Sequence, residues 1–150
     1  MTPAPEPGHQ RISREISFCL YEHIMTRKLG EVLYAPVDVV LSEEDTFQPD
    51  VLVILNEHLE RIQEKLVAGA PDLVVEIISP GSLLNDRVTK KLAYERAGIP
   101  EYWLVDPEKK TVEVFVLENG AYTSLGLFQG EQQLQSRIVP EMSVPVAHFF

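Results

Sequence analysis

A chain of 150 residues, 45% hydrophobic and 24% charged, has the size and composition of one globular domain with its own core, and is neither a disordered nor a fibrous protein. No apolar run reaches bilayer length, the start MTPAPEPGHQ lacks the basic-then-apolar order of a secretory signal, and a lone Cys19 excludes an internal disulfide framework, so a cytoplasmic protein is expected. The net charge of −10 argues against non-specific coating of nucleic acid, although carboxylates that hold a cation would account for part of it.

Residues 1–8 hold three prolines and no apolar period, which predicts a disordered tail ahead of a single domain over 9–150. From His9 to Leu29, Ile12, Ile16, Cys19, Leu20 and Ile24 recur at three- and four-residue spacing and predict an amphipathic helix, with Gly30 as its C-cap. EVLYAPVDVVL (31–41) is β-branched and aromatic, but Pro36 divides it into a bulged or edge strand or two short ones. An acidic loop over 42–48 leads to a strand over 50–55, where alternation sets Asp50, Leu52 and Ile54 on one face. The polar stretch 56–67 reads as a helix with Ile62 and Leu66 as its apolar stripe.

The stretch 69–107, GAPDLVVEIISPGSLLNDRVTKKLAYERAGIPEYWLVDP, reads as strand, turn, helix, strand. Both faces of the strand 72–78 are apolar, as in a central strand covered on both sides, and Ser82 is placed to cap the following helix. Gly98 and Pro100 end that helix, and 102–105 is another core strand. Glu118-Asn119-Gly120 between two strand-like runs predicts a hairpin, and the aromatic end His148-Phe149-Phe150 is expected to pack on the body. Strands mixed with two main helices predict a mixed sheet with helices on it.

Three residues in this frame carry chemistry. Glu76, inside Val-Val-Glu-Ile-Ile, is costly to bury unless paired, hydrogen-bonded or metal-bound; its bland alternative is a strand end open to solvent. Lys90 falls in an arc with Leu83, Ala93, Tyr94 and Ala97, yet Leu84, Val88 and Leu92 make a second apolar row. Lys90 therefore reads equally as a site lysine or as the partner of Asp86 one turn earlier on a solvated face, with Lys91 as the substitute if the helix is rotated. Asp50 after Pro49 is most often a turn residue. Its functional case is its company, because two carboxylates around an open position suit Mg²⁺ or Mn²⁺, and a lysine nearby offsets charge at a phosphate. Tyr94 and Trp103 read as core, and the four histidines as surface or capping residues without metal-ligand spacing.

The pieces PGHQRIS, APVDVVL, QPDVLVI, GAPDLVVEIISP, DRVTKKLAY, AGIPEYWLVDP and TVEVFVLENGAY resemble the Uma2 (DUF820) family of restriction-type endonucleases, a branch of the PD-(D/E)XK nuclease superfamily. The resemblance implies an α/β (α+β), restriction endonuclease-like αβββαβ core, here with an extra C-terminal hairpin. It implies a Mg²⁺- or Mn²⁺-dependent endonuclease acting on nucleic acid, with DNA the expected substrate and a homodimer the expected assembly. Asp50 and Glu76 match the two acids, and with the backbone carbonyl of Ile77 they are the implied metal ligands. Ile78 stands where the superfamily lysine would be, and the match for that lysine falls on Lys90. Asp38 and His9 are accessory candidates. Many members carry a longer N-terminal segment with a Glu-Leu-Ile-Asp-Gly-like hairpin that this sequence lacks. Two other readings remain open: a nuclease fold kept as a non-catalytic binding module, and a homo-oligomeric regulatory protein paired through its strand-rich second half and apolar C-terminus.

Overall fold

The computed structural model describes residues 6–82 and 84–150. Helix α1 (Pro7–Thr26) begins earlier than expected: Pro7 sits in its first turn, where a missing N–H costs nothing, so Pro7 and Gly8 are helix rather than tail. The rest of the expected tail, 1–5, lies outside the described residues. Ile12, Ile16, Leu20 and Ile24 are buried, as their spacing predicts. Gly30 does not cap this helix. Lys28 takes the left-handed conformation (φ 56°), and Leu29 N–H donates to Ile24 C=O. Gly30 opens strand β1 (Gly30–Tyr34) instead, where a Cβ would stand 2.2 Å from the Ile54 carbonyl oxygen.

Pro36 follows β1 across a cis peptide bond, and β2 (Val39–Val40) and β3 (Thr46–Phe47) come next, the latter inside the expected loop. Strand β4 is Val51–Leu55. The helix expected over 56–67 is only a 3-10 segment, Asn56–Arg61, after which β5 (Val67–Ala68) pairs in parallel with β2. That pairing joins residues far apart in sequence, which local periodicity cannot reveal. Then come β6 (Leu73–Ile77), α2 (Leu84–Arg96), β7 (Glu101–Asp106) and the hairpin β8 (Thr111–Glu118) and β9 (Ala121–Gln129). The Ser82 cap abuts Leu83, which lies outside the described residues. Gly98 (φ 78°) ends α2, and Asn119 (φ 52°) and Gly120 (φ 82°) make the hairpin turn.

The main sheet runs β1-β4-β6-β7-β8-β9, antiparallel except for the parallel pair β6–β7, and β3-β2-β5 form a small second sheet. The order α1, β1, β4, β6, α2, β7 is the αβββαβ arrangement. Leu73, Val75 and Ile77 of β6 face the larger core shared with α1 and the C-terminal segment, and Phe149 is buried there. The apolar end that suggested a two-fold contact is thus part of this chain's own core. Val74 faces the other way, onto Tyr94, Ile99 and Tyr102. Leu52 and Ile54 of β4 pack against Val39 and Val67 of the small sheet. Glu101, fully buried, accepts hydrogen bonds from Trp103 Nε1 (2.7 Å), the Arg137 N–H (2.7 Å), the Ile138 N–H (3.3 Å) and Ser136 Oγ, and so ties 136–139 to the sheet. No helix among the described residues is long and apolar enough to cross a membrane.

Candidate active site

Strands β4 and β6 pair Val51 with Val75, and there the ladder ends. Continued by one residue, the register sets Asp50 opposite Glu76, and opposed residues of an antiparallel pair share a face. The strands part here because Asp50 takes over the backbone bond: its Oδ2 accepts from the Ile77 N–H at 2.7 Å. The Asp50 carbonyl accepts from the Ala35 N–H (3.0 Å), which extends β1 past Tyr34 and holds Asp50 from its other edge. Asp50 is therefore more than a turn residue, and Pro49 at its back leaves no N–H to be satisfied.

Glu76 is buried, at 7% exposure. Tyr94 donates to its Oε2 at 2.9 Å, and Lys90 Nζ lies 3.3 and 3.5 Å from Oε1 and Oε2. Burial pushes its pKa up to about 7; the charge of Lys90 opposes that rise, the Asp50 carboxylate adds to it, and the bonds from Tyr94 and Lys90 oppose it. The strand-end reading fails on this burial. Lys90 faces Glu76 across the cleft rather than Asp86 on its own helix. The ambiguous wheel resolves the same way: Ala93 and Tyr94 are buried, whereas Leu84, Val88 and Leu92 are 65%, 50% and 48% exposed. Leu83, placed in the Lys90 arc from sequence, lies outside the described residues. Lys91 turns away and sits 4.1 Å over the Phe115 ring.

His9 comes from the first turns of α1, with Nε2 3.3 Å from Asp50 Oδ1. Its pKa is raised, first by that hydrogen bond and against its burial, then by the charges of Asp50 and Glu76 and by a hydrogen bond to the Ile77 backbone. Asp38 stands one residue behind the cleft: its Oδ1 accepts from Gln48 Nε2 (2.9 Å), and it is Gln48 that lines the site. The other histidines divide. His23 is buried and its pKa lowered by that burial, against the surface role expected, and His58 pairs with buried Asp72 at 3.0 Å. His148 is exposed.

The cleft at the carboxylates encloses about 170 Å³ and opens beside α1 into a groove of about 1080 Å³ bordered by Tyr34, Pro36, Gln48 and Asp50. Among the described residues no three His, Cys, Asp or Glu side chains are grouped to hold an ion on their own. A divalent ion here would take the carboxylates of Asp50 and Glu76, a backbone carbonyl and water, a donor set of the oxygen type that Mg²⁺ uses. The Ile77 carbonyl fits that set. The Ile77 N–H already points at Asp50, and the N–H and C=O of one strand residue point to the same edge. His9 Nε2 approaches the same carboxylate, 3.3 Å from Asp50 Oδ1. Sequence reasoning missed Tyr94 as a donor to Glu76 and Arg87 as a second cleft cation; both sit at helical spacing from Lys90, at i+4 and i−3, which is the signal that finds them.

A mixed six-stranded sheet flanked by helices, in the order αβββαβ, defines a restriction endonuclease-like fold. The chain belongs to the Uma2 family, described as putative restriction endonuclease, whose family model matches residues 1–147. Among solved structures it is similar to a putative nuclease belonging to DUF820 from Anabaena variabilis ATCC 29413, with a TM-score of 0.83 and 18% identity over 100% of this chain and 84% of that one. No curated protein sequence matches it.

Proposed function

We propose that this chain is a divalent-cation-dependent endonuclease that hydrolyses phosphodiester bonds of DNA, with Asp50, Glu76 and the Ile77 carbonyl holding Mg²⁺ or Mn²⁺. The observation that carries the reading is the opposition of Asp50 and Glu76 at the parting of β4 and β6, with Lys90 on Glu76. When bound, the ion supplies Lewis acidity and a water of lowered pKa. The protein's part is positioning. The Ile77 N–H aims Asp50, and Tyr94 and burial fix Glu76. The Lys90 ammonium, about one-third exposed at the cleft, offsets charge that develops on the phosphate and steadies the attacking water. The reading includes a homodimer, for which the exposed row Leu84, Val88 and Leu92 on α2 offers an apolar face. It also includes a cytoplasmic setting, which suits a single cysteine whose thiol pKa burial pushes up to about 11.

The test is cleavage of supercoiled plasmid DNA with Mg²⁺ or Mn²⁺. Wild type should nick or linearise it, and Asp50→Ala, Glu76→Ala and Lys90→Ala should each lower the rate by roughly a hundredfold or more. Wild type that leaves plasmid and single-stranded DNA intact with both ions would contradict the reading in favour of a non-catalytic binding module.

A further inference from the structure

We propose that Arg87 is an anion-binding residue of this cleft whose ligand is the pair of non-bridging oxygens of a phosphate ester; this rests on, and deepens, the nuclease reading above. Arg87 lies one turn before Lys90 on α2 and lines the same cleft as Asp50, Glu76 and Lys90. The two cations differ in what they already hold. The Lys90 ammonium is engaged with Glu76. Arg87 Nε is sealed from solvent and, among the described residues, has no hydrogen-bond partner.

A buried guanidinium N–H without an acceptor is costly, and an acceptor brought into the cleft relieves that cost once the half-buried side chain turns to meet it. The planar fork of Arg offers two parallel N–H donors, a match to two phosphate oxygens that an ammonium lacks. The neighbours explain why an internal partner does not fill the role. Asp50 takes the Ile77 N–H and His9, Glu76 takes Lys90 and Tyr94, and Asp86 shares the cleft without an ion pair to Arg87. With Lys90 paired to Glu76 and His9 to Asp50, Arg87 is, among the described cleft residues, the cation with no carboxylate partner, and it meets the phosphate beside Lys90. Because Asp50 and Glu76 repel an anion, phosphate should bind more tightly when a divalent ion is present.

The experiment titrates inorganic phosphate into the whole protein, with and without Mg²⁺, following the arginine Nε–Hε signals by NMR and the affinity by calorimetry. The expected result is a shift of the Arg87 signal on phosphate addition. Affinity should fall by about tenfold or more in Arg87→Lys, which keeps the charge and loses the fork. Arg96→Gln, which removes an exposed pair with Asp45, should bind as wild type does. Equal affinity in wild type and Arg87→Lys, or no phosphate uptake by wild type in either condition, overturns the proposal. Phosphate held through Arg87 in a protein that never cuts DNA sinks the nuclease reading and leaves the anion site standing. DNA cut by wild type and Arg87→Lys with the same KM does the reverse.

Discussion

Glu76 has an ordinary pKa of 4.5 that burial raises to about 7 in the folded protein, and this has a sign that can be tested. Below pH 4.5 the group is protonated whether folded or not. As pH rises from 4.5 to 7 the unfolded chain gives up the proton first, so folding stability falls, by on the order of 3 kcal/mol, and then levels. Glu76→Gln removes this loss. In EDTA, its urea midpoint should match wild type near pH 4.5 and exceed it at pH 8; parallel pH profiles would contradict the assignment. A divalent ion must displace the same proton, so Mg²⁺ affinity should climb as pH rises to about 7 and flatten above, with proton release measurable by calorimetry in buffers of different ionisation heat. Tyr94→Phe removes a bond that favours the charged carboxylate, so it should move that midpoint upward and cost about 1 kcal/mol of stability.

Among the elements, α2 shows where sequence falls short. Its C-terminal end was legible, because Gly98 and Pro100 stop a helix for steric reasons. Its rotation was not. The row Leu84, Val88, Leu92 is as apolar as the stripe bearing Lys90 and Tyr94, and the structure leaves the apolar row exposed while turning the charged stripe inward. Only a partner on another strand, Glu76, explains that choice. The segment 56–67 failed for a related reason: a polar stretch with a weak stripe says nothing of a two-residue parallel pairing to β2. Gly30 was seen as a stop signal, whereas its need is room. Gly30→Ala sets a methyl against the Ile54 carbonyl, and should cost about 2 kcal/mol or more in urea unfolding. Glu101→Ala strips the acceptor from four donors and frees 136–139 from the sheet. It should cost on the order of 3 kcal/mol, with Trp103 fluorescence reporting the local change.

At the scale of the whole molecule, the order of strands and helices was legible because strands 72–78 and 102–105 are buried on both faces and the hairpin turn has its own signature. The positions of the acids were legible for the same reason, Glu76 as the charge flanked on both sides by apolar residues within its strand and Asp50 as the residue that opens the strand beside it. His9 was put forward by the family resemblance alone, and its contact with Asp50 was not legible in the residues, since nothing local in α1 tells which strand its N-terminus meets. The small sheet β3-β2-β5 was hidden too, being built from two-residue strands that only the folded chain aligns. A net charge of −10 is consistent with the proposal that Asp50 and Glu76 hold a divalent cation. The measurement that tests this most directly is a calorimetric titration of Mg²⁺ and Mn²⁺ into wild type, Asp50→Ala and Glu76→Ala, repeated with an uncleavable phosphorothioate oligonucleotide present. One ion bound by wild type and by neither variant, with circular dichroism unchanged, is the predicted result. No ion bound by wild type even with the oligonucleotide, or equal binding by the variants, would contradict it.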